Sequence, residues 1–277
     1  MLPFIKHHQG FEPPEELRDA IKDFWYARID LEEQQSSFDV LPDGYAELIF
    51  HFGGPCSIVT SAGLQSLPSP FMMGLLNQPV RLHAEKEFEC IGIKCYPWTV
   101  FDLLGLPSKK VGLHFFEHPI ARLQATLNEL VMSGKIEEAM TQVKHYFLKA
   151  RIGIATDSML YKAGTAMRQA NGTMPVSGVA AAAHATVRTL ERRFKQSSGY
   201  SVKDVSALMR FEQVRDQLWF NPEMSLAGLA HEVGYSDQAH LSREFKRYSG
   251  TSPAVFAREA KNHKQVMQAD FVAFVQD

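Results

Sequence analysis

Leu190-Glu-Arg-Arg-Phe194-Lys195-Gln-Ser-Ser198-Gly199-Tyr-Ser201 returns 51 residues later as Leu241-Ser-Arg243-Glu-Phe245-Lys246-Arg-Tyr-Ser249-Gly250-Thr-Ser252. Both copies spell LxRxFKxxSGxS. A second match precedes each copy: Val176-Ser-Gly178-Val179-Ala180 corresponds, 50 residues on, to Leu226-Ala-Gly228-Leu229-Ala230. Two helix–turn–helix units in tandem produce this pattern, the second with one extra residue in its turn. In each copy Leu and Phe, four apart, pin a helix to a core. The glycine then ends that helix in the left-handed conformation it tolerates.

In the first unit Val176–His184 is expected as the scaffold helix, with Val176, Val179, Ala180 and Ala183 facing inward. Thr186 is the expected N-cap of a second helix running to about Ser197. Arg188, Glu191, Arg192 and Lys195 then fall at i, i+3, i+4 and i+7, one polar stripe opposite Leu190 and Phe194. In the second unit Leu226, Leu229, Ala230 and Val233 build the scaffold helix, Gly234 makes the turn, and Ser236 or Asp237 caps the next helix. The equivalent stripe is Ala239, Ser242, Arg243 and Lys246, with Gln238 and His240 near the helix start.

Side chains at the start of such a helix reach base edges in the major groove, where Arg pairs with guanine and Gln with adenine. Lys195, Lys246, Arg193 and Arg247 suit phosphate contacts, which position without specifying. Ser201–Phe220, with Val205, Leu208, Met209, Val214 and Leu218 at helical spacing, is expected as one long connecting helix. It would hold the units rigidly toward successive major-groove faces roughly 34 Å apart. A helical bundle with basic outer faces is the competing reading, and the matched turns and caps disfavour it.

These residues carry a family resemblance. The stretch from about Asp157 to Ala260 resembles the DNA-binding domain of the AraC/XylS family of bacterial transcription regulators. The closest run is Leu229-Ala230-His231-Glu232-Val233-Gly234-Tyr235-Ser236-Asp237-Gln238-Ala239-His240-Leu241-Ser242-Arg243-Glu244-Phe245-Lys246-Arg247-Tyr248-Ser249-Gly250-Thr251-Ser252-Pro253. The resemblance implies a seven-helix domain with two recognition helices and sequence-specific control of transcription. Four departures stand out. His184 replaces a glycine usual in the first turn, Ala181–Ala183 and Ala185 replace larger apolar residues, Val202 stands where a proline often follows, and Glu191 puts an acid in the first stripe. A small-residue core predicts a less stable first unit. The acid would weaken phosphate attraction or favour a cytosine amino group.

The chain's 277 residues leave room for two domains. No apolar run approaches the ~18 residues of a membrane span, and the start lacks signal-peptide features. Three cysteines, Cys56, Cys90 and Cys95, make a disulfide framework improbable. A cytoplasmic setting is expected. Residues 172–263 carry 12 Lys+Arg against 9 Asp+Glu, while the remainder carries 17 against 22. So mild a basic bias implies modest sequence-blind affinity for nucleic acid.

Residues 13–23 have the pattern of a short opening helix, with Leu17 and Ile21 four apart. From Phe24 to about Tyr96 the texture is β-like, with candidate strands Phe24–Ile29, Ala46–Phe52, Ser57–Thr60, Phe71–Leu76, Val80–Ala84 and Phe88–Tyr96. Leu48, Phe50 and Phe52 share one strand face, and Glu47, Ile49 and His51 the other. Pro42-Asp43-Gly44 is a turn in which proline presets φ and glycine accepts positive φ. After Pro97 the pattern is helical, with Ile120–Met132 and Ile136–Arg151 separated by Gly134. That pair suits either a dimer or domain interface, or a cover for its own core. Asp157–Ala170 opens the next helix.

The expected fold is thus α+β. A β-rich barrel or sandwich (24–96) with a helical appendage (97–151) forms an N-terminal domain over 1–153. An all-α DNA-binding domain follows over 157–262, then a tail over 263–277. The N-terminal half is similar to the sensor half of many AraC-like regulators, often a cupin-like barrel that binds a small molecule. The tail's Val266, Met267, Phe271, Val272, Phe274 and Val275 suggest an amphipathic helix docking on that domain or a partner, or a frayed end.

Duplex DNA read in two adjacent major-groove sites is the expected partner. A small-molecule effector, a second copy of the chain and RNA polymerase are compatible further partners; a membrane is not expected. No catalytic, metal-ligating or cofactor-binding set emerges: phosphate loops, nucleophile elbows and HExxH are absent. His51 and His83 lack the HxH pair of a metal cupin and are expected as core or rim residues. Cys90 and Cys95, five apart on one strand, should face opposite ways, and Phe4, Phe24, Trp25, Tyr26 and Trp98 suit core or pocket lining. Two rival readings stay open: an enzyme, such as an alkyl-transfer protein, fused to a DNA-docking module, and a constitutive regulator with no effector.

Overall fold

The computed structural model describes residues 4–31, 36–105, 112–115, 117–152, 158–263 and 274–275. The N-terminal domain contains β1 (Phe4–Phe11), β2 (Ile21–Asp30), β3 (Ser37–Val40), β4 (Ala46–Phe52), β5 (Cys56–Thr60), β6 (Gly63–Ser66), β7 (Phe71–Met73), β8 (Val80–Ala84) and β9 (Glu87–Cys95). These are followed by α1 (Val100–Leu104), β10 (Leu113–His114), α2 (Leu123–Met132) and α3 (Ile136–Arg151). Among the described residues the strands form two antiparallel sheets, ordered β1-β2-β9-β4-β7-β10 and, with β11 (Phe274–Val275), β11-β3-β8-β5-β6.

The first sheet is buried on both faces, which explains its nearly continuous apolar runs. Trp25, Ile49, Phe71 and Cys90 join Phe38, Leu82 and Phe88 in a core between the sheets. The opposite face, with Phe24, Leu48, Phe50, Phe52 and Cys95, packs on Leu127, Val131, Met140, Val143 and Phe147 of α2 and α3. The two helices therefore cover the domain's own core. Cys90 and Cys95 lie on opposite faces, as the strand period requires. Trp25 crosses Gly92 so closely that a Cβ there would stand 2.1 Å from the indole.

Two expectations need correction here, and one strand had no sequence signal. Residues 13–23 hold one 3-10 turn, Glu15–Leu17, and Ile21 already begins β2. Pairing of Ile21 with Cys95 outweighs the local helical spacing, and both Leu17 and Ile21 are buried by the sheet instead. Strand β1, rich in Lys and His, had no apolar alternation to betray it because it is a sheet edge. In Pro42-Asp43-Gly44 the Asp43 carboxylate accepts from the Tyr45 amide at 3.0 Å, but Gly44 is not among the positive-φ glycines. A Cβ there would make ordinary contact with the second domain, 3.4 Å from Met209 Cγ and 3.7 Å from Glu212 Oε2.

The second domain contains α4 (Ser158–Gln169), α5 (Val176–Ala182), α6 (Val187–Ser198), α7 (Val202–Phe220), α8 (Leu226–Glu232), α9 (Gln238–Ser249) and α10 (Pro253–His263). Its core gathers Val179, Leu190, Phe194, Phe211, Leu229, Leu241, Phe245 and Phe256, and extends into the first domain through Leu41, Leu75, Tyr96 and Trp98. The expected boundary at 153–157 lies outside the described residues. So does most of the proposed tail helix, but its last part, Phe274–Val275, is a strand pairing with β3 and not a helix.

Candidate nucleic-acid interface

The repeated residues of LxRxFKxxSGxS divide into those with a structural task and those without. Leu190 and Phe194, like Leu241 and Phe245, are buried. Ser198 Oγ donates to Phe194 O at 2.8 Å and accepts from Tyr200 N; Ser249 Oγ repeats this with Phe245 O, at 2.8 Å, and Thr251 N. Gly199 and Gly250 take φ of 79° and 80°, closing each helix in the left-handed region. Ser201 and Ser252 cap the following helices by accepting from Asp204 N and Val255 N. What remains is Arg192 and Arg243, Lys195 and Lys246. All four are exposed, and none forms a hydrogen bond or ion pair among the described residues.

The turns confirm the duplication in backbone terms. Helices α5 and α8 start 50 residues apart, α6 and α9 51. Thr186 Oγ1 accepts from Thr189 N at 3.2 Å, and Asp237, the cap chosen over Ser236, accepts from His240 N at 2.7 Å. His184 takes φ of 52° where Gly234 takes 76°. Of the alanines, Ala181 and Ala182 are exposed, whereas Ala180 and Ala183 belong to the first unit's core and Ala185 packs against it.

The twelve expected DNA-facing residues do not all stand free. Arg188, Arg192, Arg193, Lys195, Gln238, Ala239, Arg243, Lys246 and Arg247 are exposed, and Ser242 is half-buried. Glu191 departs from expectation: its carboxylate accepts from the Val202 amide at 3.3 Å, supplying an orphan donor at the start of α7 with a partner. His240 is half-buried, its ring edge-on to Tyr235 and its Nδ1 3.2 Å from Ser236 Oγ. Sequence reasoning also missed a brace behind α9. Tyr235 donates to Glu244 at 2.8 Å, Arg210 of α7 lies 3.5 Å from the same carboxylate, and its Nη1 donates to Gly172 O. A tyrosine and an acid nine apart carry no local signal; only the turn brings them together.

A family model described as a helix-turn-helix domain matches residues 179–259, the stretch that holds both units. The C-terminal region is an AraC-type helix-turn-helix domain. A second model, a domain of unknown function (DUF6597), matches residues 9–114. The Msm operon regulatory protein of Streptococcus mutans is 25% identical over 165 residues, covering 60% of this chain and 55% of the relative. The match thus spans about half of that relative's length. Among solved structures, ToxT from Vibrio cholerae is similar with 12% identity and a TM-score of 0.49, covering 85% of this chain and 97% of that one. The DNA-binding domain of AdpA, solved with a target DNA, has 23% identity and a TM-score of 0.36, covering 40% and 98%.

The AraC-type domain is clamped to the N-terminal domain at the far end of α6. Ser197 Oγ donates to Trp98 O at 2.6 Å, the Trp98 ring lies 5.8 Å from that of Phe194, and Tyr200 donates to Leu75 O at 2.6 Å. Trp98 also lies across Gly164 of α4, where a Cβ would stand 2.2 Å from its ring. Beside this clamp, Leu76 and Asn77 meet Lys195, Tyr200, Arg247 and Tyr248 around a cavity of about 350 Å³. The helix starts, with Arg188 and Gln238, lie at the opposite ends of α6 and α9 and are exposed.

Proposed function

We propose that this chain is a sequence-specific DNA-binding regulator of transcription, using α6 and α9 as twin major-groove probes. The observation that carries the reading is the set of repeated cations, Arg192 with Arg243 and Lys195 with Lys246, which are exposed and form no hydrogen bond or ion pair among the described residues, while the motif's Leu, Phe, Ser and Gly each serve the fold. Arg243 with Gln238 supplies base-edge donors, and Lys195, Lys246, Arg193 and Arg247 supply phosphate contacts. Arg188, Arg192, Ala239 and Ser242 complete the surface; Glu191 and His240 contribute through the folds they brace. Selection of binding sites from genomic fragments by the purified full chain tests this. Enrichment of a two-block motif with blocks about one helical turn apart supports it, and recovery of unselected fragments refutes it.

A small-molecule effector acts in this reading only by binding one domain arrangement better than another. The N-terminal domain offers a cavity of about 380 Å³ between Arg28, Phe52, Glu89 and Val131, a size suited to a metabolite. Thermal-shift screening separates an effector-controlled regulator from a constitutive one, since a ligand raises the melting temperature by mass action. A second copy of the chain and RNA polymerase are the protein partners this role calls for, and the cytoplasm, where a bacterial chromosome lies, is its place of work. Alkyl transfer through a thiol finds no support. Burial pushes the Cys56 thiol up to about 12 and raises Cys90 and Cys95 as well, the reverse of a reactive thiolate.

A further inference from the structure

The junction between the domains holds a buried group of charges that DNA contact does not use. Lys94 of β9 is in register with Glu47 on β4, and Asp23 of β2 pairs with it from the other side. Its Nζ lies 3.1 Å from Asp43 Oδ2 and 3.2 Å from Glu47 Oε1. Helix α7 brings Glu212, Arg215 and Asp216 against this group. Arg215 pairs with Asp216 at 2.8 Å, lies 3.8 Å from Glu212, and donates from Nη1 to Pro42 O at 3.4 Å. A Cβ on Gly44 would stand 3.7 Å from Glu212 Oε2. Lys22 and Lys94 lie 5.3 and 5.4 Å over the Tyr45 ring, which packs on Tyr96.

The groups facing this seam are therefore Lys22, Asp23, Asp43, Tyr45, Glu47, Lys94 and Tyr96 from the sheet, Glu212, Arg215 and Asp216 from α7, and Arg168 from α4, 4.1 Å over the Tyr96 ring. Five carboxyls meet four cations. Asp23 Oδ1 is buried with no hydrogen-bond donor among the described residues. Withdrawing an unbalanced carboxylate from water costs several kcal/mol, whereas protonating it near neutral pH costs far less.

We propose that docking of the N-terminal domain on α7 is coupled to uptake of a proton from solvent by the Glu47 and Glu212 carboxyls that face each other across Asp43 and Lys94, making the seam a latch that tightens as pH falls. Burial pushes both Glu47 and Glu212 up to about 7; Asp43 adds to each rise, against the pull of Lys94 on Glu47 and of Arg215 on Glu212. Apart, the carboxyls return toward the ordinary value of about 4.3. The docked value is the higher one, so the stabilisation is complete below about 4.3 and is lost as pH rises through about 7. One proton taken up corresponds to a docking constant about tenfold larger at pH 6 than at pH 8.

Trp98 provides the readout, because it is buried at the junction while Trp25 lies in the core between the two sheets and Trp219 packs on Phe256 within the AraC-type domain. In full-length protein carrying Trp25→Phe and Trp219→Phe, urea titration at pH 6 and pH 8 follows the red shift of Trp98, with far-UV circular dichroism reporting unfolding. The expected result is a red shift that precedes loss of helix and needs more urea at pH 6. In the Glu47→Gln, Glu212→Gln double variant that pH difference disappears. If the double variant does not fold, Glu212→Gln alone should reduce the difference. Equal midpoints at the two pH values, a higher midpoint at pH 8, or an undiminished difference in the variants overturns the proposal. No DNA enters the experiment, so its failure leaves the regulator reading untouched.

Discussion

His184 and Gly234 occupy the same place in the two units, and replacing each tests whether a left-handed residue is what that place demands. Both close their scaffold helix alike. His184 N and Ala185 N donate to Ala181 O and Ala180 O, and Gly234 N and Tyr235 N donate to His231 O and Ala230 O. At φ of 52° the His184 side chain pays a steric penalty of about 1–2 kcal/mol. Glycine would remove it and return roughly 0.5–1 kcal/mol as greater freedom of the unfolded chain. His184 is exposed, so little packing is lost. His184→Gly should therefore stabilise the domain by about 0.5–1 kcal/mol.

Gly234→Ala reverses both terms. It also places a Cβ 3.2 Å from Thr173 Cγ2, so that Thr173 must shift; a net loss of about 1–2 kcal/mol is expected. Urea unfolding of the full chain measures both, with Trp219 reporting on this domain and circular dichroism checking for a single transition. A lowered midpoint for His184→Gly, or an unchanged one for Gly234→Ala, would show that the backbone conformation is not what the position selects.

Arg243→Ala should weaken binding to a selected site by roughly 1–3 kcal/mol and relax sequence preference there; an unchanged affinity and footprint would exclude base reading by that guanidinium. Lys246→Ala should weaken all sequences about equally and reduce the salt slope by about 1, whereas a sequence-selective loss contradicts a phosphate contact. Gly164→Ala drives a Cβ into the Trp98 ring and should weaken domain docking by about 1–3 kcal/mol. The Trp98 red shift would then move to lower urea, and an unmoved midpoint would show that this contact does not hold the domains together.

Local pattern was sufficient for much of the second domain. Period, caps and glycines placed α6, α7 and α9 within a residue or two, because each helix carries its own start and stop chemistry. Strands β4 and β8 were legible from end to end. Residues 13–23 were misjudged because Leu17 and Ile21 suit a helix face and a sheet flank equally well, and the partner that decides, Cys95, lies more than seventy residues on. Glu191 and His240 were placed among the DNA-facing residues because a helical wheel shows which side a residue occupies but not what approaches from the next element.

The tandem repeat, the two recognition helices and the cations they carry follow from the amino-acid order, since helix propensity, capping and i, i+4 spacing act over a few residues. Tertiary structure alone decided that the Pro42-Asp43-Gly44 turn grips α7, that Trp98 anchors the end of α6, and that Lys94 is shared by Asp43 and Glu47. Those contacts join residues more than forty positions apart. Their energies depend on which surfaces lose water together, a quantity no local pattern contains.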